Sequence, residues 1–254
     1  AAMGSSGLYC IDDTLPIEGL TYFPGFLTKE EGEEVVQTLD SHPWLAEIRR
    51  RQQFYGETFY HTTRQHATLQ PEGNAGALPL QPLQWVLDKI ERAGVCDLTE
   101  EPLNQVLVNE YIGATGIAPH FDHFEAIGRN ILTVSLVRGM YMMLRKPAAA
   151  TMECKQIVQA TKIFLEANSL LVMAGPARYH WRHGIPQSRL VPIPHTTPPV
   201  IERRDASWRR LSLSIRHIRQ ERPVASATEC GRDGAWGWRA APAGALPRGA
   251  VLPR

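Results

Sequence analysis

The chain of 254 residues is short of several features that would declare a function class outright. It holds only four cysteines, Cys10, Cys96, Cys154 and Cys230, and no CxxC pair. That scatter argues against a disulfide framework or a structural zinc site and fits a reducing setting. No apolar run approaches the roughly 20 residues of a membrane-spanning helix, and the first residues lack the charged-then-apolar plan of a secretory signal. A protein of the cytoplasm and/or nucleus, with no membrane partner, is expected. An excess of charge of one sign is missing too: 27 basic residues face 26 acidic ones, a formal net charge of +1. No global field therefore steers the chain to nucleic acid or to a membrane surface. Charge is clustered locally, with Arg49, Arg50 and Arg51 consecutive and seven arginines between Arg203 and Arg222. Such runs are either solvated faces or phosphate contacts.

What is present divides the chain into a helical first third and a strand-rich remainder. Leu20 to Phe23 has strand character up to Pro24-Gly25. Thr28 followed by Glu31 is a capping-box signature, in which each residue satisfies a free amide of the other. The helix it opens is expected to run to about Leu39. Arg49 to His61 alternates polar and aromatic residues around Gly56, which predicts a hairpin with exposed rings. Gln70 to Leu80 reads as a loop, followed by a second helix with Pro82 in its first turn and Leu83, Val86, Leu87 and Ile90 on one face. From Gln105 the period becomes two. Strands are expected over Gln105–Tyr111, Ile131–Leu136, Met140–Leu144, Ile163–Leu165, Ser169–Met173 and Arg210–Arg216, with Pro192 to Pro199 as a proline-rich insertion. The predicted fold is mainly β with flanking helices (α+β), a double-sheet jelly roll. Residues 1–18 are expected to be an N-terminal extension and residues 221–254, rich in Ala, Gly, Pro and Arg, a disordered tail. A monomer is expected.

His120, Asp122 and His183 supply two imidazoles and a carboxylate, the ligand set of non-haem iron that leaves coordination positions free. Residues two apart on a strand share a face, so His120 and Asp122 can converge on one ion while Phe121 packs away. His123 and His180 fall out of that phase. Gly184, directly after His183, permits a tight turn.

Arg210 and Arg216 share one face of their strand with Ser212 and Ser214, while Leu211, Leu213 and Ile215 take the other. Either that face meets solvent, or it is inward and the guanidinia clasp a small dicarboxylate, which Arg matches with two parallel hydrogen bonds. Asn109 and Tyr111 also share a face, either as contacts to the same ligand or as the end of a strand.

In order along the chain, Asn104 to Tyr111 (NQVLVNEY), Gly116 to Asp122 (GIAPHFD), Ile131 to Leu136, Ser169 to Met173, Ala177 to Ile185 (ARYHWRHGI) and Arg210 to Arg216 (RLSLSIR) resemble the AlkB family of iron(II)- and 2-oxoglutarate-dependent dioxygenases. The resemblance covers about Gly19 to Ile218, which sets the expected dioxygenase domain at residues 19–220. Within the family it is nearest to the dioxygenase domain of the homologue that hydroxylates a modified wobble uridine in tRNA. It implies a double-stranded β-helix with Fe(II) on His120, Asp122 and His183. It further implies 2-oxoglutarate bound by Arg210 with Asn109, Tyr111, Ser212 and Arg216 completing the pocket, and O2 as oxidant. The co-substrate would be decarboxylated to succinate as a C–H bond is hydroxylated; on an N-methyl group the product loses formaldehyde.

The implied substrate is a modified base in nucleic acid, RNA in preference to DNA. Arg50, Arg51, Tyr55 and Tyr60 resemble the family's nucleotide-lid region, where rings stack on an extruded base and arginines meet phosphates. The same rings could instead pack on the barrel. Phe124 stands where the bacterial repair enzyme carries a second acidic residue, and Ser212 replaces an asparagine common in the co-substrate strand. A protein side chain as substrate, DNA alkylation repair, and a catalytically idle interaction module are the alternatives.

Overall fold

A strand whose alternate residues are leucine and arginine must have something to cover each face, and the jelly roll provides it. A computed structural model of the chain describes residues 16–46, 48–57 and 77–219. The strands are β1 (Leu20–Phe23), β2 (Arg51–Gly56), β3 (Ala77–Leu78), β4 (Gln105–Ile112), β5 (Ile117–His120), β6 (Ile127–Leu136), β7 (Met140–Pro147), β8 (Ile157–Leu165), β9 (Leu170–Met173), β10 (Arg182–Ile185), β11 (Leu190–Ile193), β12 (Val200–Arg203) and β13 (Arg209–Ile218). The helices are α1 (Lys29–Asp40), α2 (Gln84–Ala93) and α3 (Gly175–His180). A seven-stranded sheet, β1-β9-β6-β13-β4-β2-β3, packs against a four-stranded one, β5-β10-β7-β8, and β11 with β12 forms a separate hairpin.

The larger sheet has two different faces. Val106 and Val108 of β4, Leu132 and Val134 of β6, and Leu211, Leu213 and Ile215 of β13 pack with Val35 and Leu39 of α1 and Val86, Leu87 and Ile90 of α2. The opposite phase of the same strands faces the smaller sheet, whose Met142, Leu144 and Ile163 share a core with Tyr111, Ile131 and Trp181. Arg210, Ser212 and Arg216 therefore point between the sheets and are buried. The solvent-facing alternative for this strand is excluded.

α1 starts as its sequence dictates. The Thr28 hydroxyl accepts from the Glu31 amide at 3.1 Å, and the Thr28 amide donates to Glu31 Oε2 at 2.8 Å. Glu31 also takes Lys89 Nζ of α2 at 2.6 Å, so one side chain caps a helix and ties two helices together. α2 follows a 3₁₀ turn over Gln81–Leu83 and stops at Gly94, whose φ of 58° closes the helix without a Cβ penalty.

Four expectations change. β2 is not one arm of a local hairpin: it pairs antiparallel with β4 and parallel with β3. The loop expected over 70–80 holds β3 at its end. The proline-rich stretch is the turn of the β11–β12 hairpin, where the Thr196 hydroxyl donates to Ile193 O and accepts from the Val200 amide. β5, β10 and α3 were not foreseen. The expected N-terminal extension (residues 1–18) lies outside the described residues except for 16–18, and the expected tail (221–254) lies wholly outside them. Among the described residues no helix is long and apolar enough to cross a membrane.

Candidate metal centre and co-substrate pocket

β5 and β10 lie side by side with His120 directly opposite His183. Their ring centroids are 4.6 Å apart. Asp122 comes two residues after the end of β5, in a loop rather than on the strand, and its Oδ2 stands 3.4 Å from His183 Nε2. One ligand atom from each of the three residues lies within 4.8 Å of the other two, so a single ion can collect them. The Ala118 carbonyl is 2.9 Å from His120 Nδ1. Accepting there, it places the proton on Nδ1 and leaves Nε2 as the electron-pair donor.

Gly184 makes this pairing possible by close approach, not by a turn. A Cβ at that position would stand 2.7 Å from both the Ile117 carbonyl oxygen and the Pro119 nitrogen of the adjacent strand. His123 points elsewhere, its Nδ1 accepting from the Ala126 amide, and His180 is exposed at the end of α3.

Charge and burial together keep Asp122 and His183 in ligand form. Burial by itself would raise the Asp122 pKa, but Arg216, followed by His183, His120 and Arg178, outweighs it and holds the carboxyl well below the usual carboxylate range. Burial, reinforced by His120, lowers the His183 imidazole to about 4 against the pull of Asp122. At neutral pH Asp122 is thus ionised and His183 neutral, the forms a metal cation requires.

The triad opens onto a cavity of about 90 Å³ lined also by Arg50, Gln52, Asn109, Tyr111, Ser212 and Arg216. Arg216 is already engaged, donating to Asp122 Oδ1 at 2.7 Å and to Gln105 Oε1 at 2.6 Å. Arg210 is different. It is fully buried, its Nη2 donates to Ser135 Oγ at 2.7 Å, and its guanidinium lies 5.3 Å from the centre of the Tyr111 ring. Its Nε and Nη1 have no hydrogen-bond partner. A buried guanidinium with two open donor atoms is costly unless an anion completes it, and a carboxylate has the matching two-pronged geometry. Arg210 does not itself line the cavity, but it stands on β13 two residues from Ser212, which does, and its open donors fit one end of a small acid.

Asn109 is oriented from the side. Its Oδ1 accepts from Gln52 Nε2 at 2.8 Å and from Arg50 Nε at 3.4 Å, which leaves its amide protons for the cavity. Arg50 also donates to the Gly116 carbonyl at 3.1 Å. Gln52, Gln105 and Ser135 were not singled out in the sequence, because only the pairing of β2, β4, β6 and β13 brings them to this face.

The expected substrate residues separate by the same alternation. Arg50 reaches the cavity; Arg51 and Tyr55 have the opposite phase and point to the helices. Arg51 pairs with the buried Glu110 and lies over Trp44, 5.2 Å from its ring centroid. Tyr55 is wholly buried in the core beneath α1 and α2, its hydroxyl donating to Gln53 Oε1. Tyr55, wholly buried, is not placed to touch a substrate, which corrects that expectation; Arg51 keeps a partly exposed side chain but is engaged by Glu110 on the face away from the cavity. Tyr60 lies outside the described residues.

A model of the 2OG-Fe(II) oxygenase superfamily matches residues 19–216. The chain belongs to this superfamily. The oxygenase uses iron(II), 2-oxoglutarate and O2, and its relatives are AlkB-type proteins. It is 31% identical over 223 residues to the "Alkylated DNA repair protein ALKBH8 homolog" of Arabidopsis thaliana, a match spanning 82% of this chain and 61% of the relative. It is 28% identical over 175 residues to the "tRNA (carboxymethyluridine(34)-5-O)-methyltransferase ALKBH8" of Mus musculus, spanning 64% of this chain and 24% of that protein. The "DNA oxidative demethylase ALKBH2" of Mus musculus is also 28% identical, over 178 residues, 65% of this chain and 72% of the relative. The chain thus spans just under two thirds of the length of the Arabidopsis relative and about a quarter of the mouse tRNA enzyme.

Proposed function

We propose that this oxygenase oxidises a modified base in nucleic acid, RNA in preference to DNA. In this reading His120, Asp122 and His183 hold the iron. Arg210 takes the distal carboxylate of 2-oxoglutarate, with Tyr111, Asn109 and Ser212 along its length. Bound together, iron(II) and 2-oxoglutarate supply oxygen activation coupled to decarboxylation of the co-substrate to succinate. The chain's own residues prepare the site: Arg216 keeps Asp122 ionised, the Ala118 carbonyl sets the His120 tautomer, and Gln52 aims the Asn109 amide protons inward. The observation that carries the chemistry is the His120–Asp122–His183 cluster, together with a buried Arg210 whose Nε and Nη1 are open, two residues along β13 from the cavity-lining Ser212.

Nucleic acid as substrate is supported by the names of the relatives, which act on tRNA or DNA, and by Arg50 at the cavity, where a guanidinium can meet a phosphate or an anionic base substituent. Succinate formation with iron(II), measured with tRNA, single-stranded DNA, duplex DNA and no polymer, tests it. Stimulation greatest with tRNA is expected. Stimulation by DNA alone would turn the reading toward repair, and the absence of stimulation by any nucleic acid would overturn it.

A further inference from the structure

Arg178 is a buried guanidinium that the proposed chemistry does not use. It belongs to α3, five residues before His183, yet it reaches across to the loop that carries Asp122. Nη1 donates to the Asp122 carbonyl at 3.2 Å, Nη2 to the carbonyls of His123 at 3.0 Å and Ile127 at 3.4 Å, and Nε to the Gly128 carbonyl at 3.4 Å. All four acceptors are main-chain oxygens. Phe124 and Tyr179 lie against the guanidinium, their ring centroids 5.5 and 5.0 Å from its carbon.

We infer that Arg178 is a positioning residue for the metal centre, locking the loop that carries Asp122 to the helix that leads into His183. Asp122 is then held at both ends, its side chain by Arg216 and its main chain by Arg178. The spread of acceptors requires arginine. Its planar fork offers donors from three nitrogens at once, whereas lysine has a single nitrogen on a flexible stem. Phe124 joins in by closing one face of the fork. Groups that orient a ligand without touching the ion change metal affinity by about 10–100-fold in comparable sites. The inference rests on the proposed metal triad.

The experiment measures Co(II) affinity of the metal-free protein by isothermal titration calorimetry for wild type, Arg178→Lys and Asp122→Ala. Folding is checked by circular dichroism. Arg178→Lys is expected to bind Co(II) about tenfold or more weakly while remaining folded. Affinity within twofold of wild type would overturn the inference, since a purely structural role lowers thermal stability and leaves the affinity alone. If Arg178→Lys does not fold, amide exchange in the wild type decides. Slowing on Co(II) binding in both 122–128 and 175–180 supports the coupling, and slowing confined to 122–128 contradicts it. Failure of the wild type to bind Co(II), or unchanged binding by Asp122→Ala, would instead remove the triad itself.

Discussion

Arg210 and Arg216 occupy one face of one strand and do different things, which only the neighbours of each reveal. Arg216 is paired with Asp122; Arg210 has two donor atoms to spare. Replacing Arg210 by methionine should weaken 2-oxoglutarate binding by about 2–5 kcal/mol, the usual cost of removing one member of a buried charged pair, which is at least about 30-fold in Kd. The same change should leave the melting temperature of the ligand-free protein unchanged or higher, because it removes an unpaired buried charge. A lower melting temperature with unchanged 2-oxoglutarate affinity would show Arg210 to be structural. Arg51→Ala should behave in the opposite way. It takes one guanidinium from the buried Glu110, costing about 1–3 kcal/mol of stability, and urea denaturation should show that loss while the KM for substrate stays put. The period-two rule made the face of Arg210 readable from sequence. It could have warned equally that Arg50 and Arg51 cannot serve one site, had the strand boundaries been known. Tyr55 takes the other alternative open to these rings and packs into the core: an aromatic residue on a strand has two faces to choose from, and the amphipathic helices α1 and α2 needed a partner.

At the scale of elements, legibility followed local signal. α1 and α2 announce themselves by cap, proline and apolar spacing, and β4, β6 and β13 by alternation. β5 and β10 do not: each has four residues, and what makes them strands is pairing with each other across more than 60 positions of chain. The metal ligands nevertheless stood out, because their chemistry is rarer than their local structure. The same-face rule selected His120 and Asp122, which the structure brings together with His183, but Asp122 sits in a loop, so strand alternation is only part of the geometry. The glycine between the strands gives a sharp test. Gly184→Ala would force β10 away from β5, and Co(II) binding should fall sharply with far-UV circular dichroism retained. The capping box offers another. Thr28→Ala should cost about 1 kcal/mol. Glu31, whose pKa is lowered first by Lys89 and then by the Thr28 amide, contributes stability that is present above the ordinary carboxylate value and lost as pH falls through its lowered one. The difference in melting temperature between wild type and Glu31→Gln should therefore shrink on acidification and vanish below that lowered pKa.

For the whole molecule, two sheets divide the labour. The larger one is covered by helices on one face and presents its polar phase inward. The smaller contributes both histidines and closes the apolar side of the cavity. On the proposed reading metal and co-substrate bind between layers that must stay packed, and a ligand at 100 times its Kd should stabilise the fold by about 2.7 kcal/mol. The family pattern was legible in the sequence because its motifs lie at the inner ends of these layers. The substrate was not, because among the described expected contacts only Arg50 reaches the cavity. The most direct test of the central claim is succinate formed from 2-oxoglutarate by iron(II)-loaded wild type, Asp122→Ala and Arg210→Met, each confirmed as folded. The account predicts turnover by the wild type, none by Asp122→Ala, and by Arg210→Met only at greatly raised 2-oxoglutarate. Equal turnover by all three would contradict it.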